Sequence, residues 1–140
     1  MSQLEVLHAD AGLDLLEAVP GLTVYRDKLP PAVTGLAPPW VLVMTAVEWP
    51  YAETNNSIDY ASTTCVTTWY CYASGTTGTS ALAIGGIVRG TLLGIRPVIT
   101  GRVCNQISQV SSEPPRQHEG TGISVLTALS IYELETRPAP

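Results

Sequence analysis

Charge is scarce in this sequence. Asp, Glu, Lys and Arg make up 14% of its 140 residues, against about 25% in a typical soluble domain, a deficit that points to surface covered by a partner or by copies of the same chain. Basic residues are the scarcer kind, seven against twelve acidic ones for a net charge of −5. That is the wrong sign for a protein that grips nucleic acid by neutralising its phosphates. The three cysteines, Cys65, Cys71 and Cys104, are an odd number with no close-spaced pair, which excludes a disulfide framework and suggests buried thiols or a reducing compartment. The longest apolar stretch, Ala81 to Ile95, is broken by Arg89 and too short to span a bilayer. Met1 to Glu5 has no basic stretch leading into an apolar one, so a secretory leader is not expected and the site of synthesis, the cytoplasm, is.

An apolar fraction of 45% is enough to offset the entropy of ordering the chain, and the length suits a single domain, 1–140, with one core. Residues 2 to 18 carry Leu4, Leu7, Ala11 and Leu15 at helical spacing before Pro20-Gly21, which predicts a first helix with that face buried. Leu22 to Asp27 alternates as a short strand, followed by a loop rich in proline and glycine (Pro30, Pro31, Gly35, Pro38 and Pro39). Trp40 to Trp49 reads as a strand leaving the core. Ala52 to Ser62 is a polar, projecting excursion, and Thr63 to Ala73 is a strand of β-branched and aromatic residues.

Gly75 to Gly78 breaks the chain, Thr79 or Ser80 is placed to cap, and Ala81 to Leu93 predicts a second helix with Ala81, Ile84, Gly85, Val88 and Leu92 on one side. Its glycines Gly85, Gly86 and Gly90 weaken that helix unless a close approach to a sheet requires them. Pro97 to Val110 is extended and Ser111 to Gly122 is a long polar loop. The last strand, Ile123 to Glu135, sets Thr127, Leu129, Ile131 and Glu133 on one face and Ala128, Ser130, Tyr132 and Leu134 on the other, and 136–140 ends the chain as a short tail. The resulting order, α-β-β-β-α-β-β, predicts an α+β fold, a mixed or antiparallel sheet with two helices packed on one face.

Candidate chemistry is thin. The two histidines, His8 and His118, have no nucleophile elbow to serve and are expected at the surface. Cys65 and Cys71, six apart on a strand, share a face at about 20 Å and can hold neither a metal nor a disulfide between them. Gly75-Thr76-Thr77-Gly78-Thr79-Ser80 sits where a phosphate cradle would, without the lysine that a P-loop needs, so a turn and helix cap is the plainer reading. Glu113, His118 and Glu119 form a charged loop cluster, and Asn55-Asn56-Ser57 fits a glycosylation pattern in a chain not expected to be secreted. No cofactor, metal or catalytic residue is expected.

The layout as a whole resembles the tail terminator proteins of long-tailed, siphovirus-type bacteriophages. The likeness is carried by the opening helix into Val19-Pro20-Gly21-Leu22-Thr23-Val24-Tyr25, by Leu29-Pro30-Pro31, and by the Pro39-Trp40-Val41-Leu42-Val43 strand. It continues through the polar excursion, Thr67-Thr68-Trp69-Tyr70-Cys71-Tyr72-Ala73, the second helix with Val88-Arg89-Gly90-Thr91-Leu92-Leu93-Gly94, and the final strand. The resemblance implies a non-enzymatic virion protein at the tail-neck junction. Six copies would form a ring that caps the tail tube, stops its polymerisation and joins it to head-completion or stopper proteins, while DNA passes through without specific binding. Glu48, Glu53, Asn55, Asn56 and Asp59 are then the candidates for lumen- or tube-facing positions, an acidic wall repelling the passing backbone. A tail tube or head-tail connector subunit is the neighbouring alternative. A small thiol-dependent enzyme using Cys104 or the His118 loop, or a monomeric ligand-binding module, is the alternative from another class.

Overall fold

The computed structural model describes residues 3–28, 39–50, 63–117 and 125–140. The elements run α1 (Gln3–Glu17), β1 (Val24–Arg26), β2 (Val41–Glu48), β3 (Cys65–Gly75), α2 (Gly78–Leu92), β4 (Arg102–Cys104), β5 (Ser108–Ser112), β6 (Arg116–Gln117) and β7 (Leu126–Pro138). The fold is α+β, as expected. Where two strands were expected after the second helix, three short ones precede a long last one.

The sheet is mixed. β1 lies parallel to β2, β2 antiparallel to β3, and β3 antiparallel to β7 over eleven residue pairs, Cys65↔Thr136 to Gly75↔Leu126. On its other side β7 is met in turn by β4, β5 and β6, all antiparallel. The last strand is thus the spine of the sheet, and its end is no free tail. Val103 pairs with Arg137, Arg102 pairs with Pro138, and the Ala139 N–H donates to Gly101 O at 3.0 Å. Residues expected to fray are ordered because β4 supplies backbone partners that a reading of the last segment alone does not contain. The long polar loop is likewise subdivided: Ser111 and Ser112 belong to β5, and Arg116 and Gln117 to β6.

Period-two alternation sorts the sheet into two faces. Val41 and Val43 of β2, Cys65, Thr67, Trp69, Cys71 and Ala73 of β3, and Tyr132, Leu134 and Thr136 of β7 are buried against the helices. α1 adds Ala9, Leu13 and Leu16 to this core and α2 adds Val88 and Leu92. The buried face of α1 is not the one expected from leucine spacing. It comprises His8, Ala9, Gly12, Leu13 and Leu16, while Leu7 is exposed and Leu4, Ala11 and Leu15 pack only in part. The helix turns this way because small residues let it lie on the Trp69 ring. A Cβ on Gly12 would stand 2.5 Å from Trp69 Cε2, and the indole Nε1–H donates to Ala9 O at 3.1 Å.

The start of α2 is set by side chains. Thr77, in extended conformation, accepts from the Ser80 N–H, and Ser80 Oγ in turn accepts from the Thr77 N–H, a capping box two or three residues earlier than the cap expected at Thr79 or Ser80. Gly75 makes this junction possible, since a Cβ there would meet the Ala81 backbone nitrogen at 2.4 Å. The glycines inside α2 have a different setting from the one expected. A Cβ on Gly85 would touch only Ala73, at 3.9 Å, and one on Gly86 or Gly90 would meet nothing within 4 Å. Each costs the helix about 1 kcal/mol relative to alanine, and no close approach among the described residues requires Gly86 or Gly90.

Candidate functional site

The chain's two ends meet in a buried polar cluster. His8 of α1, fully buried, lies between Leu4 O and Thr136 Oγ1, 2.7 Å from each. A carbonyl can only accept, so the proton sits on Nδ1, and Nε2 accepts from the Thr136 hydroxyl. Thr136 Oγ1 accepts from Arg102 Nε–H at 3.2 Å, and the same guanidinium donates to Thr63 O at 2.8 Å and Thr136 O at 3.0 Å. Trp49 closes the cluster, edge-on to His8 at 5.9 Å and under the Arg102 guanidinium at 5.7 Å. His8, expected at the surface, is interior because Thr136 and Arg102 complete its hydrogen bonding, and neither was visible as its partner in the sequence. His118 and Glu119 of the other candidate cluster lie outside the described residues; Glu113 stands 4.0 Å from Arg116.

Burial pushes the His8 imidazole below its ordinary value; the Leu4 carbonyl opposes that and the Arg102 charge adds to it. A histidine held neutral in the fold but free to protonate when unfolded makes the unfolded chain the better proton binder at low pH. This contribution is therefore intact above about pH 6.5, the unfolded value, and is lost as pH falls from there toward the lowered folded value. The thermal midpoint is expected to fall between about pH 7 and about pH 5.5, and by less in a His8→Gln variant. Equal pH dependence of the two melting curves would contradict this assignment.

The thiols are positioned as core groups. Cys65, Cys71 and Cys104 are all buried and unpaired. Burial pushes Cys65 up to about 11 and Cys71 up to about 12, and it raises Cys104 as well, the opposite of what activates a nucleophilic cysteine. A disulfide-exchange reagent near neutral pH is expected to leave all three unreacted in the native protein and to titrate all three in denaturant.

The sheet face turned away from the helices is graded. Across β2, β3 and β7 it presents Leu42–Tyr72–Leu129 and Met44–Tyr70–Ile131, then Ala46–Thr68–Glu133 and Glu48–Val66–Glu135. One end is apolar and aromatic and the other carries three carboxylates. Glu48, a sequence candidate, is exposed at the acidic end; Glu53, Asn55, Asn56 and Asp59 lie outside the described residues. Glu133 and Glu135 were missed as its companions because the strand register that aligns them belongs to tertiary structure.

Both lateral edges of the sheet are open among the described residues, β1 pairing with β2 alone and β5 with β7 alone. At the β1 edge, Arg26 is ringed by Asp10 (2.8 Å), Asp14 (3.3 Å) and Glu17 of α1. The β5 edge is irregular, its register shifting between Gln109 and Ser111 so that Val110 stands in a bulge, 55% exposed. Between β5, β7 and α2 runs a groove of about 380 Å³ bordered by Leu82, Gly86, Arg89, Gln109 and Glu113. Among the described residues no helix is long and apolar enough to cross a membrane.

Eleven chains of solved structures match this architecture. One of them, a chain from the virion of a native gene transfer agent particle, aligns with a TM-score of 0.70 over 97% of this chain and 98% of that one, at 15% sequence identity. The likeness is one of fold, and it spans both chains from end to end. No protein-family model matches the sequence, and no curated protein does.

Proposed function

We propose that the protein is a structural subunit of a phage-like virion that acts by binding alone, forming a ring that ends the tail tube and joins it to the neck. The observation that carries this reading is the end-to-end likeness in fold to a chain of a gene transfer agent virion. Two features support it. Among the described residues the sheet has an open edge on each side, and closure into a ring satisfies such edges where they would otherwise invite unlimited growth. The helix-free face ends in Glu48, Glu133 and Glu135, and a wall of that sign lets a DNA backbone slide past without adhering.

On this reading the ring has six members, as the terminator resemblance implies, with the tail tube protein on one side and a head-completion or stopper protein on the other. Glu48, Glu53, Asn55, Asn56 and Asp59 face the lumen or the tube. The test adds the purified protein to polymerising tail tube subunits and follows tube length by electron microscopy. Growth should stop, with one ring at the tube end. Incorporation along the tube wall, or tubes formed by this protein itself, would assign it to the tube and refute the terminator role.

A further inference from the structure

We infer that the ring closes head to tail, with the α2–β5 side of one copy receiving the α1–β1 side of the next. The inference rests on the ring reading above and names the surfaces that make it. Strand direction comes first. β1 and β2 run together, β3 runs against them, β7 with them, and β5 against them again. Rotation about an axis along the strands leaves every direction unchanged, so β5 of one copy beside β1 of its neighbour is an antiparallel pair, the arrangement that best continues this sheet.

Charge then distinguishes the two sides. The β1 edge gathers Asp10, Asp14 and Glu17 around the single guanidinium of Arg26, with Asp14 mostly exposed. The β5 side carries a cationic surplus instead: Arg89, the sole charged residue of α2, stands exposed at the rim of the groove, and the one carboxylate on that rim, Glu113, has Arg116 4.0 Å away. A head-to-tail contact sets Arg89 against the acidic surplus of the next copy, whereas a contact between two β1 edges would oppose like charges. The apolar residues agree. Leu82 is 57% exposed at the groove and Val110 is exposed in the β5 bulge, while Val6 is exposed on the α1 side. Gly86 leaves the groove open at a position where a Cβ would meet nothing within 4 Å among the described residues.

The test follows mass in solution by light scattering, with circular dichroism to verify folding. Arg89→Glu and Asp14→Lys should each reduce the ring to single chains. Mixed in equal amounts they should restore it, because in an alternating ring the introduced carboxylate faces the introduced ammonium at one contact, and Arg89 faces Asp14 at the next. Gly86→Leu keeps the helix but fills the groove, so it should yield a folded, non-assembling chain. Rings that persist in either charge variant, fail to return on mixing, or survive Gly86→Leu would overturn this interface and leave the groove to another occupant, with the ring reading itself intact. A wild-type protein that stays single at every concentration would overturn both.

Discussion

Arg102→Met is expected to destabilise the protein by about 3 kcal/mol, among the larger effects available to one substitution. Arg102 is 9% exposed, and its guanidinium holds Thr136 Oγ1, Thr136 O and Thr63 O while lying over Trp49. Methionine fills much of the same volume but donates nothing, which leaves those acceptors and the far end of the His8 relay short of a donor. Hydrogen bonds from a charged donor contribute about 1.5–3 kcal/mol each, and the relief of desolvating one cation less reduces the total to the stated size. Arg102→Lys should recover only part, because an ammonium cannot reach along the Nε and Nη2 directions together. Urea unfolding measures both. A loss under about 1 kcal/mol for the methionine variant would show that the cluster is peripheral to stability.

Gly12→Ala is expected to cost about 2–3 kcal/mol, unusual for so small a change in a helix, where alanine is normally the better residue. The added methyl would meet Trp69 Cε2 at 2.5 Å, Cζ2 at 2.8 Å and Cδ2 at 2.9 Å. The indole cannot retreat, being fully buried and tied to Ala9 O. Trp69→Leu alone should cost about 3 kcal/mol through lost contacts and the cavity left behind. In that background Gly12→Ala should cost nearly nothing, since the methyl then enters the vacated space. The double-mutant cycle therefore predicts a favourable coupling above about 1 kcal/mol. Additive effects would mean that the helix shifts away and that Trp69 does not fix its position.

Much of the fold was legible because its strands carry strong local signals. The alternation in Thr63 to Ala73 and in the last segment predicts which residues of β3 and β7 face the helices, and Ala81, Val88 and Leu92 fall on the buried side of α2 as their spacing requires. What the sequence concealed was relational. Leucine spacing in α1 predicts a face rotated away from the real one, because the decisive residues are a glycine and a histidine whose partners, Trp69 and Thr136, lie 57 and 128 positions away. The extended segment expected over Pro97 to Val110 resolves into β4 and the start of β5, while β6 is too short and polar to announce itself, and all three stand as separate strands because β7 offers them an edge. The same holds for the surfaces. Glu48 could be singled out as a lone acid, but its company with Glu133 and Glu135, and the identity of β1 and β5 as the sheet's lateral edges among the described residues, follow from register and order.

The central claim is that this chain works by closing on copies of itself. Native mass spectrometry of the purified wild-type protein over a wide concentration range tests it most directly. The account predicts one closed species of fixed copy number, six, in equilibrium with single chains. A single-chain mass throughout, or an open-ended ladder of ever larger species, would contradict it.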